Sequence, residues 1–296
     1  MLDPHSGGTT TSIVDSTSLN PDLPLLRTVE YEGDGTLALQ LTTTGLIEQL
    51  VGDLSGYGPV TSVLNAPGYG EFLAADPDGV FRLGPEQTLD PVMEGWSPGI
   101  IGTVPFAVTS TSIERLPRDG GEPETLLGAT GLAGTADILD AVGIRSEMVI
   151  LTRSLVGTAG VYWVPGDSTL FGTAILPNSP LPNPTPFSLV YTPTNDRTFE
   201  TGWIVPAEDG QTFALALRYT DGIETVVMTD PNPGQSTCGG QVVCQHFSFE
   251  GRPLGFSPDG AWLLADIDGE YYALSTKGRG SVRFDEAPPD EVTWIP

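Results

Sequence analysis

Short apolar runs alternate with polar positions at a period of two along much of this chain. Leu37, Leu39 and Leu41 alternate after Asp34-Gly35, Phe213, Leu215 and Leu217 after Asp209-Gly210, and Trp262 and Leu264 after Asp259-Gly260. A period of two puts alternate side chains on one face of an extended strand, so the pattern predicts strands turned towards a core. The punctuation agrees. Asp-Gly occurs seven times, beginning at Asp34, Asp78, Asp119, Asp209, Asp221, Asp259 and Asp268. This dipeptide reaches positive φ at little cost and, between apolar strands, is a strong hairpin cue. Such turns at roughly ten-residue spacing predict antiparallel sheets.

The turns also repeat. Gly35, Gly70, Gly102, Glu147, Gly210 and Gly260 each precede the most regular strand of a unit, at separations of 35, 32, 45, 63 and 50 residues. A propeller blade of four strands needs about 40–50 residues. The expected fold is therefore all-β, a single β-propeller of about six four-stranded antiparallel blades. Seven blades are the alternative, because the second and third units divide ambiguously. The longest interval fits one blade with an insertion over 177–200, which carries Pro177, Pro180, Pro182, Pro184, Pro186 and Pro193. In a regular meander this insertion would join an outer strand to the next inner one. The cysteine loop, 230–246, would join a third strand to a fourth, on the opposite face. The expected organisation is a Ser/Thr/Gly-rich tail over 1–22 and a propeller domain over 23–296, with Trp294 helping the last strand close the ring near Val29.

Two units read as one phrase written twice. Trp203-Ile-Val-Pro-Ala-Glu-Asp-Gly210 leads into Thr212-Phe-Ala-Leu-Ala-Leu217, as Gly255-Phe-Ser-Pro-Asp-Gly260 leads into Ala261-Trp-Leu-Leu-Ala-Asp266. The stretch Phe256-Ser-Pro-Asp-Gly-Ala-Trp-Leu-Leu-Ala265 resembles the blade signature of TolB-like and WD40-like exported bacterial β-propellers. Val161-Tyr-Trp163 and Asp119-Gly-Gly-Glu-Pro-Glu-Thr-Leu126 are similar to repeat phrases of the same group. This resemblance implies a fold rather than an activity. TolB carries an additional N-terminal domain for which this chain has no room, so the role of TolB does not transfer.

Composition changes the picture in two ways. Gly (37) and Pro (27) suit many short strands and turns and oppose helix, while 39% hydrophobic residues suffice for a core. Charge is one-sided: 38 acidic residues against 12 basic give a net of −26, and Lys277 is the one lysine. Nucleic acid and anionic membrane surfaces are excluded as partners, because little is available to neutralise phosphate. The charge serves solubility, or it draws cations or a basic partner. No apolar run reaches the length of a membrane span, and the start resembles a chain begun after a removed signal or lipid-anchor segment. Cys238 and Cys244, six apart across Gly-Gly, can close a disulfide ring in an oxidising compartment, or stay as two reduced, small apolar side chains. With the first alternative, the chain is exported to the periplasm, the cell surface or the medium.

Catalytic signatures are sparse. Besides His5 in the tail, His246 is the one histidine, and no Gly-x-Ser-x-Gly elbow occurs. Ser257 reads as a turn residue, and no catalytic residue is assigned. Asp76-Pro-Asp78-Gly and Asp266-Ile-Asp268-Gly lack the spacing of a calcium loop and read as hairpin turns, with calcium the one cofactor they could hold. Trp163, Trp203 and Trp262 belong to strand patterns and are expected in the core. Trp96, Tyr57 and Tyr69 stand in turn-like contexts and, with His246, are the binding candidates. The expected function is a non-enzymatic exported binding or scaffold module that contacts a protein partner or larger cell-envelope assembly through a propeller face. The alternatives are an exported glycan or lactone hydrolase or lyase, or a carbohydrate-binding lectin, using an acidic central channel.

Overall fold

The computed structural model describes residues 25–31, 35–41, 47–53, 60–66, 69–75, 79–83, 89–94, 97–101, 104–117, 121–132, 134–144, 147–164, 188–193, 196–207, 210–229, 244–257, 259–276 and 280–284. These form two compact units, one ending at Gly131 and the other beginning at Leu132. Among the described residues the one helical element is a single 3-10 turn, Ala129–Gly131. The rest is antiparallel sheet.

In the first unit, β1 (Leu25–Tyr31), β2 (Gly35–Leu41) and β3 (Ile47–Asp53) form a three-stranded meander. A second meander contains β4 (Val60–Ala66), β5 (Gly70–Ala75), β6 (Gly79–Leu83) and β7 (Leu89–Met93). A third contains β8 (Ser97–Ile101), β9 (Val104–Val108), β10 (Ser112–Arg115) and β11 (Glu124–Gly128). Phe72, Ala74, Val80, Ala107 and Leu116 form a buried cluster joining the second and third sheets. Arg82 fastens it. One guanidinium nitrogen donates to the backbone oxygens of Tyr69 (2.7 Å) and Pro117 (2.6 Å), while the group lies 5.2 Å from the centre of the Phe72 ring.

The second unit repeats the plan three times. Its sheets are β12 (Thr135–Ile144), β13 (Glu147–Ser154), β14 (Ala159–Val164) and β15 (Ser188–Tyr191); then β16 (Phe199–Pro206), β17 (Thr212–Tyr219), β18 (Gly222–Thr229) and β19 (Cys244–Glu250); then β20 (Arg252–Phe256), β21 (Trp262–Ile267), β22 (Glu270–Ser275) and β23 (Ser281–Phe284). All six turns marked by the repeat fall where a first strand passes to a second. Gly35, Gly70 and Glu147 open β2, β5 and β13, and Gly102, Gly210 and Gly260 lie between the first two strands of their sheets.

The connections differ from expectation at one place. The proline-rich insertion does not lead from an outer strand to the next inner one. Residues 188–191 within it become β15 and pair with β14, so the long connection joins a third strand to a fourth. Sequence position misleads here because Ser188-Leu-Val-Tyr191 is a short β-prone run set among prolines, and pairing with the exposed edge of β14 satisfies its backbone. The cysteine loop joins β18 to β19, third to fourth as expected, so the two connections share the same parity. The tail 1–22, Trp294 and the ring closure near Val29 fall outside the described residues or depend on ones that do.

The paired phrases fold into paired turns. Ala207 N–H donates to Thr212 O (2.8 Å) and Gly210 N–H to Ala207 O (3.2 Å); fifty residues on, Ser257 N–H donates to Trp262 O (2.9 Å) and Gly260 N–H to Ser257 O (2.8 Å). In the second turn the Ser257 hydroxyl donates to Asp259 (2.7 Å) and accepts from Trp262 N–H (3.0 Å), and Asp259 also accepts from Ala261 N–H (3.0 Å). Ser-Pro-Asp-Gly is thus a self-bonded turn, and its serine is occupied there. Asp268 and Gly269 both have positive φ (55° and 81°), the primed turn that Asp-Gly favours.

Packing is tightest at the middle strands. β14 is buried along its whole length, and β17 is buried except at Arg218. Such a strand needs apolar cover, which the next sheet of the same unit supplies on one face of β14. Consecutive sheets touch through their first strands, β12 with β16 and β16 with β20. Val149, Leu151, Val161 and Trp163 meet Ile204, Leu215 and Leu217 in one cluster, and Ala214, Val227, Phe256 and Leu263 form the next. Trp163 is buried as expected, whereas Trp203 and Trp262 are half-buried.

Gly202 permits the first of these contacts. A β-carbon there would stand 2.5 Å from Ala216 O of the paired strand β17 and 2.9 Å from Leu151 Cδ2 of β13, so any side chain disturbs the β16–β17 pairing as well as the contact with the preceding sheet. Asp140 fastens the same junction. A bulge in β12 at Leu139 sets it, and its two carboxylate oxygens accept from Ala141 N–H (2.8 Å) and from Ile204 N–H of β16 (2.7 Å). Burial pushes this carboxyl up to about 7, against the two backbone donors, which favour the charged form.

Two outcomes follow. Gly202→Ala should lower unfolding stability by about 1–3 kcal/mol in urea titration, the usual cost of overpacking. Asp140→Asn should destabilise by about 1–3 kcal/mol at pH 5, because its amide faces one backbone donor with another. Since the folded carboxyl holds its proton more tightly than the unfolded one, its contribution is complete below about 4 and is lost as pH rises through about 7. The stability gap between wild type and Asp140→Asn should therefore narrow between pH 5 and pH 8; a gap that widens would contradict the assignment.

Candidate binding crevice

Strand β19 is the outermost of its sheet and is mostly exposed, unlike β17 two positions inward. Its sequence, Cys-Gln-His-Phe-Ser-Phe-Glu, would put His246 and Phe247 on opposite faces of a regular strand. The pairing with β18 is not regular. Met228 faces Gln245 and Val227 faces Phe247, so His246 is the extra residue of a bulge. Bulges re-aim side chains, and here His246 joins Phe247 and Phe249 on the wall of an open crevice of about 410 Å³.

The opposite wall belongs to the next sheet. Ile267 from β21, Leu274 and Ser275 from β22, and Thr276 and Gly280 beyond it complete the lining. Phe247 and Phe249 are half-buried, with ring centres 6.2 Å apart and planes tilted by 30°. They rest on the cluster of Ala207, Ala214, Val227, Phe256 and Leu263, so the apolar floor continues into the core. The far wall is held by the turn already described: Thr276 donates from its hydroxyl to Gly260 O (2.7 Å) and from its backbone to Ala261 O (3.0 Å), and Ser275 N–H donates to Gly280 O (3.0 Å).

Gly251 joins β19 to β20. Its φ is +149°, and a β-carbon there would come within 2.6 Å of Asp266 O and 3.0 Å of Ile267. Glu250 precedes it and is anchored by Arg197, which donates to both of its oxygens (2.7 and 3.3 Å) and to Asp221 (2.8 Å). The same guanidinium lies 4.3 Å from the centre of the Tyr219 ring. Nearby, burial pushes the Tyr191 hydroxyl up to about 12, with the charge of Glu224 and the Tyr219 hydroxyl adding to it. Asp268 is exposed at the β21–β22 hairpin, and Asp266 accepts from Gly269 N–H (2.9 Å).

The remaining sequence candidates are placed as follows. Tyr69 is half-buried and packs on the Phe72–Ala74 cluster of the first unit, with its backbone oxygen taken by Arg82. Tyr57, Trp96 and Cys238 lie outside the described residues, as does the Asp76–Asp78 turn. Cys244 opens β19 opposite Thr229. No group of three or more metal-ligating side chains occurs among the described residues, and Asp266 serves the hairpin. Of the two binding candidates among the described residues, Tyr69 and His246, His246 lies on the crevice. Sequence reasoning missed Phe247, Phe249, Ile267 and Leu274; the Phe-Ser-Phe alternation beside His246 was their available signal.

No helix among the described residues is long and apolar enough to cross a membrane. No protein-family description and no curated protein matches this chain. Solved structures do. The chain is similar to the β-propeller domain of Cps50 (Swd1) from Myceliophteria thermophila, with 12% identity, a TM-score of 0.54, and coverage of 89% of this chain and 90% of that one. It is also similar to an oligogalacturonate lyase in complex with manganese (12% identity, TM-score 0.51, 88% and 73% coverage) and, more loosely, to TolB from Acinetobacter baumannii (12%, 0.42, 90% and 69%). At such identities the likeness is one of fold, and it spans a lyase as well as a domain named for no reaction. The resemblance to TolB-like and WD40-like β-propellers holds at the level of fold.

Proposed function

We propose that this chain is an exported, non-enzymatic binding module, in which each of the six sheets serves as one blade of a propeller scaffold and the crevice beside β19 receives a protein partner. The observation that carries this reading is the crevice itself. It is open, walled by Phe247, Phe249, Ile267 and Leu274, and edged by His246, Ser275 and Thr276. A mostly apolar hollow with a few polar groups at its edge, set on rigid strands, suits an anchoring side chain from a partner. The surplus of 26 negative charges favours a partner carrying basic residues and speeds its approach.

The test is purification from the native cell envelope after mild crosslinking, followed by identification of stoichiometric neighbours. A defined protein neighbour is expected, reduced at least tenfold in recovery by Leu274→Trp, which fills the crevice without changing charge. A chain that purifies alone in every preparation would overturn the binding-module reading. So would release of sugar products from polygalacturonate or hydrolysis of lactones by the purified protein at enzymatic turnover.

A further inference from the structure

We propose that Asp268-Gly269 is a modification site, at which the aspartate converts to isoaspartate through a cyclic succinimide without an enzyme. Of the seven Asp-Gly pairs in the sequence, three have both residues described: Asp221-Gly222, Asp259-Gly260 and Asp268-Gly269. The conversion asks three things of such a pair. The side-chain carboxyl must be unoccupied, the glycine nitrogen must be within its reach, and the turn must have room to rearrange. The three pairs share one dipeptide and differ in their surroundings.

Two of the carboxylates are held. Asp221 accepts from Arg197 (2.8 Å), and Asp259 accepts from the Ser257 hydroxyl (2.7 Å) and from Ala261 N–H (3.0 Å). Asp268 is exposed, and its carboxylate makes no hydrogen bond or ion pair with any described residue. The glycines differ in the same sense. Gly260 is buried, and its N–H donates to Ser257 O (2.8 Å). Gly222 is exposed but walled in: a β-carbon there would stand 3.5 Å from Arg197 Nη2 and 3.8 Å from Glu250 Oε2. At Gly269 no described atom lies within 4 Å of that point, so the hairpin tip can swing without displacing a neighbour.

The third pair also has a base in place. Gly269 N–H donates to Asp266 Oδ1 (2.9 Å), within the reach at which a carboxylate takes a proton from the group it accepts from. As the Gly269 nitrogen attacks Asp268 Cγ, the N–Cγ bond forms and Asp266 takes the amide proton. Asp266 then returns that proton to the departing hydroxyl of the Asp268 carboxyl, which leaves as water. A second water opens the five-membered ring. Opening at Cγ restores aspartate; opening at the main-chain carbonyl leaves the chain running through Cγ, which is isoaspartate. Nothing is oxidised or reduced. The product carries one extra methylene in the main chain next to Ile267, which lines the crevice and faces Glu270 across the hairpin.

All three pairs fall in one tryptic peptide, Tyr219–Lys277, because Arg252 precedes a proline. The full chain is kept for several weeks at pH 7.4 and 37 °C, then reduced and digested. Electron-transfer fragmentation of that peptide locates isoaspartate by its backbone fragments. Isoaspartate at 268 should accumulate at least fivefold faster than at 221 or 259. In urea-unfolded protein the difference should vanish, since the fold and not the dipeptide creates it. Asp266→Asn keeps an acceptor but removes the base, and should slow conversion at 268 several-fold. Arg197→Gln should raise conversion at 221. Equal rates at the three positions of the folded chain, or no isoaspartate at 268, would overturn the proposal. An unchanged rate in folded Asp266→Asn would remove Asp266 as the base; if that variant unfolds, the comparison within the wild-type peptide decides alone.

Discussion

The middle strands of this protein are apolar on both faces, and most other features follow from that constraint. β14 buries all six of its residues, and β17 buries every residue but one. A strand of this kind cannot lie at a surface. It needs apolar cover, and within each unit the antiparallel meander repeats so that neighbouring sheets share buried clusters. Against β17 and β13 the space is small enough to demand glycine at 202, and buried Asp140, set by the bulge in β12, ties two sheets through the Ile204 N–H.

The same packing leaves room at the outer strands. First strands take part in the contacts between neighbouring sheets of each unit, and in β19 and β23 burial falls to Phe284 alone among the described residues, with Phe247 and Phe249 half-buried. The crevice is the gap that remains there. Half-buried Phe247 and Phe249 line it together with His246, the extra residue of a bulge. The core and the candidate site are two ends of one gradient: side chains at Val227 and Ala214 close the inner part, and nothing of comparable size closes the outer part among the described residues.

Much of this fold was written in local sequence. Period-two alternation at Phe213, Leu215 and Leu217 gives β17, and Asp-Gly marks the turns at Gly210 and Gly260, where the glycine has positive φ. Ser257-Pro-Asp-Gly260 is legible for the same reason, since its bonds close within six residues. The fourth strands were harder to read. Ser188–Tyr191 has no pattern of its own and forms because β14 offers an unpaired edge. The crevice was harder still. His246 drew attention as a lone histidine, but its position depends on one extra residue in the pairing with β18 and on Ile267 and Leu274 from another sheet. Tertiary contact created the site, so no single stretch announces it.

The central claim is that β19 and the crevice beside it are open in the free protein. Amide hydrogen exchange measured strand by strand tests it most directly. Exchange in β19 (residues 244–250) should be orders of magnitude faster than in β17, which is buried except at Arg218. Protection of β19 equal to that of β17 in the isolated chain would mean that another part of the same molecule covers the crevice, and would contradict the account.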